Sequence, residues 1–161
     1  MISRLFIVAG LLSCMFGFTE VAISADVEPV QPGPRDKCPV CGMFVAKYPD
    51  WVAEILFADQ HVVFFDGAKD LFKYYFKMQK YDSKRTRAEI VAIYVTEYYD
   101  LKLIDAKEAY YVIGSDVYGP MGHELIPLVT EDDVREFMQD HKGKQIVRFH
   151  EVTPQLIQSL D

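Results

Sequence analysis

Twice along this chain, two apolar strand-like runs are followed by an amphipathic helical pattern and then by a third apolar run. Residues 51–58 (WVAEILFA) and 61–65 (HVVFF) read as a short hairpin around Asp59-Gln60. Within 67–80, Ala68, Leu71, Phe72 and Tyr75 recur at helical spacing, which predicts one apolar helix face, with Asp66 placed to cap it. The nearly continuous apolar run at 89–96 (EIVAIYVT) predicts a strand buried on both faces. The order then returns. Strands are expected at 108–117 and 125–129, and Thr130 with Asp133 has capping-box spacing. Val134, Phe137 and Met138 stripe the second helix, and a strand at 145–152 and a helical turn at 154–160 follow. The fold class is α+β: two tandem ββαβ units, with antiparallel sheets each covered by a helix. The repetition lies in the order of elements, not in matching residues.

Half of the 161 residues are hydrophobic, enough apolar area to exclude a disordered chain. Seventeen basic against 24 acidic residues leave a net charge of −7, which is the wrong sign for a nucleic-acid binder. Residues 1–25 read as a signal peptide. Arg4 precedes an apolar run at 5–18 that is shorter than a membrane-spanning helix needs. Leu11-Leu12-Ser13-Cys14 is similar to a lipobox, which would lipidate Cys14 and tether the exported protein to a membrane. The competing site, Ile23-Ser24-Ala25, would instead release a soluble exported protein. Residues 26–37, with Pro29, Pro32, Gly33 and Pro34, predict an extended linker. The two units then occupy 38–98 and 99–161.

Chemistry concentrates at Cys38-Pro39-Val40-Cys41-Gly42-Met43. Thiolate and thioether sulfurs suit a soft ion such as Cu(I), and Cys41 and Met43 are separated only by a glycine that permits a sharp turn. A C-x-x-C pair also serves thiol–disulfide exchange, although the proline-rich segment before it and Pro49 after it do not match a strand–motif–helix setting. The same letters form half of a zinc ribbon, with no second pair to complete it. A plain Cys38–Cys41 disulfide is the bland alternative. In the second half, Gly119-Pro120-Met121-Gly122-His123 reads as an exposed loop that offers a thioether and an imidazole, or else a tight turn whose methionine folds onto the sheet. His61, His141 and His150 read as structural. No phosphate loop, nucleophile setting or HExxH is present, so an enzyme is not expected.

Cys38 to Met43, Phe64-Phe65-Asp66, Ala109-Tyr110-Tyr111-Val112 and the stretch Gly119-Pro120-Met121-Gly122-His123-Glu124-Leu125-Ile126-Pro127 together resemble the NosL family. These are exported bacterial copper-binding accessory proteins of nitrous oxide reductase. CPVCGM alone is also similar to the start of YHS metal-binding domains. The NosL resemblance covers roughly residues 37–150. It implies two ββαβ units, a lipid anchor at Cys14, and one Cu(I) ion passed on for assembly of the reductase's copper centres. The family's copper cysteine and methionine fall on Cys41 and Met43, and its second-half methionine falls on Met121, with His123 close by. Many members have a single cysteine here, so Cys38 is a departure that leaves the ligand set and a disulfide off state open.

Overall fold

The structure, a computed structural model, describes residues 27–161; the expected signal peptide and Cys14 lie outside the described residues. The first half contains β1 (Ala53–Phe57), β2 (Val62–Phe65), α1 (Ala68–Phe76), a short α2 (Met78–Tyr81) and β3 (Ile90–Thr96). An added edge strand, β4 (Leu103–Asp105), completes an antiparallel sheet of order β2-β1-β3-β4. In the second half, β5 (Tyr110–Ile113) is followed by a small hairpin of β6 (Tyr118–Gly119) and β7 (Gly122–His123). Next come β8 (Ile126–Leu128), α3 (Glu131–Asp140), β9 (Gln145–Arg148) and a terminal α4 (Pro154–Gln158). The second sheet has the order β8-β5-β9 and is also antiparallel. β1 and β5 are therefore central, each flanked by the strand before the helix of its sheet, β2 or β8, and by the strand after it, β3 or β9.

The predicted helix over 67–80 is broken at Lys77, whose N–H is shared between the carbonyls of Lys73 and Tyr74 before α2 begins. The hairpin loop turns through Gln60 at φ 68°, and Asp59 Oδ1 accepts from the His61 N–H at 3.2 Å. The Thr130–Asp133 capping box is present in full. Two strands are shorter than their apolar runs. β5 ends at Gly114, where φ turns to +74°, and β9 gives way to a 3-10 turn at Phe149–Glu151. β3 is buried on both faces only toward its C-terminal end, and Val91 near its start is 46% exposed.

α1 is wedged between the two sheets. Tyr74 meets Phe65 of the first sheet at a tilt, with ring centroids 5.3 Å apart, and Phe72 meets Tyr111 of the second edge-on at 5.5 Å. One core therefore draws on both halves. Alternation along β5 sends Tyr111 and Ile113 into this core and Val112 to the other face, where Ile126, Leu128, Val134 and Phe137 close a smaller cluster under α3. The helix expected to cover one sheet thus serves two, and its polar residues Lys69 and Asp70 are buried with it. Residues 27–36 carry no helix or strand, yet they are not a free tether. The Val30 N–H donates to Glu54 Oε1 at 2.9 Å, and the Tyr94 hydroxyl donates to the Val27 carbonyl. They cover the outer face of β1, which is why every residue of that strand is buried. Among the described residues no helix is long and apolar enough to cross a membrane.

Candidate metal centre

The Cys38–Met43 segment is a tight knuckle. The Cys38 N–H donates to the Met43 carbonyl at 2.9 Å and the Gly42 N–H donates to the Cys38 carbonyl at 2.8 Å. A bridge between Lys37 and Phe44 closes its neck. Gly42 sits at φ +82°, a left-handed conformation that a side chain would strain. The turn aims backbone donors at sulfur: the N–H groups of Val40 and Cys41 face Cys38 Sγ, and that of Met43 faces Cys41 Sγ. Both cysteines are free thiols.

The opposite side of the site comes from the start of α1. Asp66 follows β2 directly, before the Gly67 N-cap, and Asp70 lies in the first turn of α1, so the β2–α1 junction brings both carboxylates to the knuckle. Cys41 Sγ lies 3.1 and 3.3 Å from the two Asp66 oxygens, and Cys38 Sγ lies 3.4 Å from Asp70 Oδ2. Donor atoms of Cys38, Cys41, Asp66 and Asp70 all fall within 4.8 Å of one another. Asp66 thus does not cap α1. The N-cap is Gly67, without a side-chain bond, and the first-turn Lys69 N–H is satisfied by Glu124 Oε1 at 2.5 Å. Any Cβ at Gly67 would overlap Glu124 Oε2, so this contact requires glycine there.

Burial dominates the electrostatics. It pushes the Cys41 thiol up to about 12, with Asp66 adding to the rise and the Met43 N–H opposing it. Cys38, only 1% exposed, is raised further, with Asp70 adding to the effect of burial. Both sulfurs are therefore protonated at neutral pH, with the carboxylates as acceptors of their S–H groups. Two sulfurs converging beside two carboxylates have the makeup of a metal site. The sulfurs suit a soft ion, and the hard oxygens suit a proton or a borderline ion such as Zn²⁺.

Of the residues singled out by sequence, the fold brings Cys38 and Cys41 together. Met43 is half-buried in the knuckle. Met121 is 40% exposed at the tip of the β6–β7 hairpin, and its carbonyl accepts from buried Lys69 Nζ at 2.8 Å, which ties that tip to α1. The loop expected at 119–123 is thus a pinned hairpin. His123 is not among the grouped donors; its ring lies against Tyr118, with centroids 4.8 Å apart. Asp66 and Asp70 were not candidates by sequence. Their four-residue spacing at the helix start was the available signal, and a capping role explained Asp66 locally.

The sequence profile of the NosL family matches residues 29–157. The chain is 27% identical over 138 residues to the copper-binding lipoprotein NosL of Stutzerimonas stutzeri, a match spanning 84% of this chain and 72% of that protein. Its fold is similar to the crystal structure of the copper chaperone NosL from Shewanella denitrificans, with a TM-score of 0.67 and 23% identity, over 80% of this chain and 97% of that one.

Proposed function

The chain belongs to the NosL family, and from that premise we propose that it is an exported copper chaperone that carries one Cu(I) ion at the Cys38–Cys41 knuckle and delivers it for assembly of nitrous oxide reductase. The observation that carries this reading is the convergence of both cysteine sulfurs on the face of Asp66 and Asp70. Cys41, the more accessible sulfur, is the principal ligand. Met43 is the second, and Met121 or His123 completes a low-coordinate site. Cys38 lies within reach as a further sulfur. A filled-shell Cu(I) ion needs only two or three soft ligands, so a set this small leaves room for an acceptor's ligand to add before one of its own departs.

Loading has a proton balance. Cu(I) bonds the Cys41 sulfur as the S–H bond breaks, and the proton passes to solvent. Carboxylates are poor ligands for Cu(I), so Asp66 and Asp70 serve here as hydrogen-bond acceptors for the thiol S–H groups. Catalysis of disulfide exchange needs a thiol of lowered pKa; this pair is raised instead, which weighs against an oxidoreductase. The two halves, 38–98 and 99–161, are assigned as the family's two ββαβ units, with β4 from the start of the second stretch added to the first sheet. Cys14 is assigned as the lipid anchor that holds the domain at the extracytoplasmic membrane face.

The test is anaerobic titration of the reduced protein with Cu(I) against a chromophoric chelator. One ion should bind per chain, and Cys41→Ala should weaken binding by about 100-fold or more, beyond what loss of a supporting group costs. An unchanged affinity in that variant removes Cys41 from the site, and no Cu(I) uptake by the parent protein ends the chaperone reading.

A further inference from the structure

One short stretch of this acidic chain is strongly basic. Residues 73–87 hold six basic side chains and one acidic one, a local charge of +5 in a chain of −7. Among the described residues, Lys77, Lys80, Lys84 and Arg87 take part in no ion pair, and all four are exposed. Lys73 and Arg85 are partly neutralised, by Asp70 and Asp161 and by Asp59 and Asp82 respectively.

These cations do not stand on a flat surface. Lys73, Lys77 and Lys80 rim a cleft of about 430 Å³ between α1 and α4, with Asp161 beside Lys73 as the one acidic lining residue, and its floor includes Phe76 and Ile157. Val40, which sits between Cys38 and Cys41, lines the same cleft. A second cleft continues past Phe76 toward Arg85 and Arg87. A cationic rim over an apolar floor fits a segment that carries carboxylates around an apolar side chain. A planar lipid surface would meet the rim and leave the cleft unfilled.

We infer that the cleft between α1 and α4 is the docking surface for an acidic polypeptide segment of the protein that takes the metal ion. This deepens the chaperone reading and rests on it, because Val40 places a docked segment beside the cysteine knuckle. Charge attraction steers the encounter, and the apolar floor fixes the register.

The experiment follows fluorescence anisotropy of a short labelled peptide of glutamates around a central phenylalanine, mixed with the purified full chain. Binding is expected, weakening about tenfold between roughly 20 and roughly 200 mM salt. A peptide with glutamine in place of glutamate should not bind. Lys77→Glu with Lys80→Glu should cut affinity by about tenfold or more. Far-UV circular dichroism and Cu(I) competition in the same variant should be unchanged, since neither side chain reaches the sulfurs or the core. Equal binding by the variant, no binding by the parent protein, or capture by anionic phosphatidylglycerol vesicles without peptide binding overturns the proposal. A parent protein that binds the peptide and takes up no Cu(I) overturns the chaperone reading and the role of recipient, while the acidic-segment surface stands.

Discussion

The backbone N–H of Lys69 donates to Glu124 Oε1, so a carboxylate from the second half closes the first turn of a helix in the first half, 55 residues away in sequence. The same oxygen accepts from the Leu125 N–H at 2.9 Å. The Lys69 side chain returns the contact, donating to the carbonyls of Met121 at 2.8 Å and Leu160 at 3.1 Å. This reciprocal clamp joins the helix that carries Asp70, just after Asp66, to the hairpin that carries Met121.

Removing the clamp should be costly. Glu124→Ala leaves two buried N–H groups without an acceptor and is expected to lower stability by about 2 to 4 kcal/mol. Glu124→Gln keeps one acceptor oxygen and should lose less. Urea denaturation measures both, and a midpoint unmoved by the alanine would show that the contact is dispensable.

Asp66 holds the Cys41 thiol in its protonated form by adding negative charge beside a sulfur already raised by burial. Asp66→Asn removes that charge and should increase the thiolate fraction. Alkylation of Cys41 at pH 8, followed by mass spectrometry, should run about three to ten times faster in the variant. A slower rate would mean that Asp66 activates the sulfur.

Two buried glutamates make stability depend on pH in one direction. Burial raises Glu54 from 4.5 to about 7 and Glu124 to about 8, opposed only in part by the backbone N–H groups and, for Glu124, by Lys69. The folded state therefore prefers both acids protonated. Their contribution is fully present below about pH 4.5 and is lost as pH rises through 7 and 8. The thermal midpoint should drop by about 5 °C or more between pH 5 and 8.5. Glu54→Gln should flatten the lower part of that slope. A midpoint that climbs across this range would contradict both shifts.

Copper affinity should move the other way. With the Cys41 thiol at about 12, each ion bound at neutral pH displaces a proton from sulfur. The apparent affinity for Cu(I) should rise about tenfold per pH unit between 6 and 9 if that proton leaves the protein. A flat profile would show that the proton stays on the protein and would contradict this balance.

The sequence rendered some parts of this molecule legible and hid others for physical reasons. Apolar runs marked β1, β2 and β3, and the Thr130–Asp133 capping box is a local signal that works locally. β4 escaped because three residues hold too short a pattern, and it forms by pairing with Thr96, Val95 and Tyr94 of β3. The cysteine half of the site was visible in its spacing. Asp66 was read as a helix cap because sequence rules look only a few residues ahead, whereas the true acceptor for that first turn is Glu124. Asp70 and Lys69 lie off the apolar stripe predicted for this helix. They are buried because α1 serves two sheets, a tertiary fact with no local trace.

The burial of Cys38 beside the partly exposed Cys41 makes Cys41 the more accessible sulfur of the candidate site. On the chaperone reading, an ion taken up and given away through that sulfur makes whatever supplies it and whatever takes it stand in the same place at different times. Supplier and recipient are then mutually exclusive visitors, and an excess of either should stall traffic through the protein.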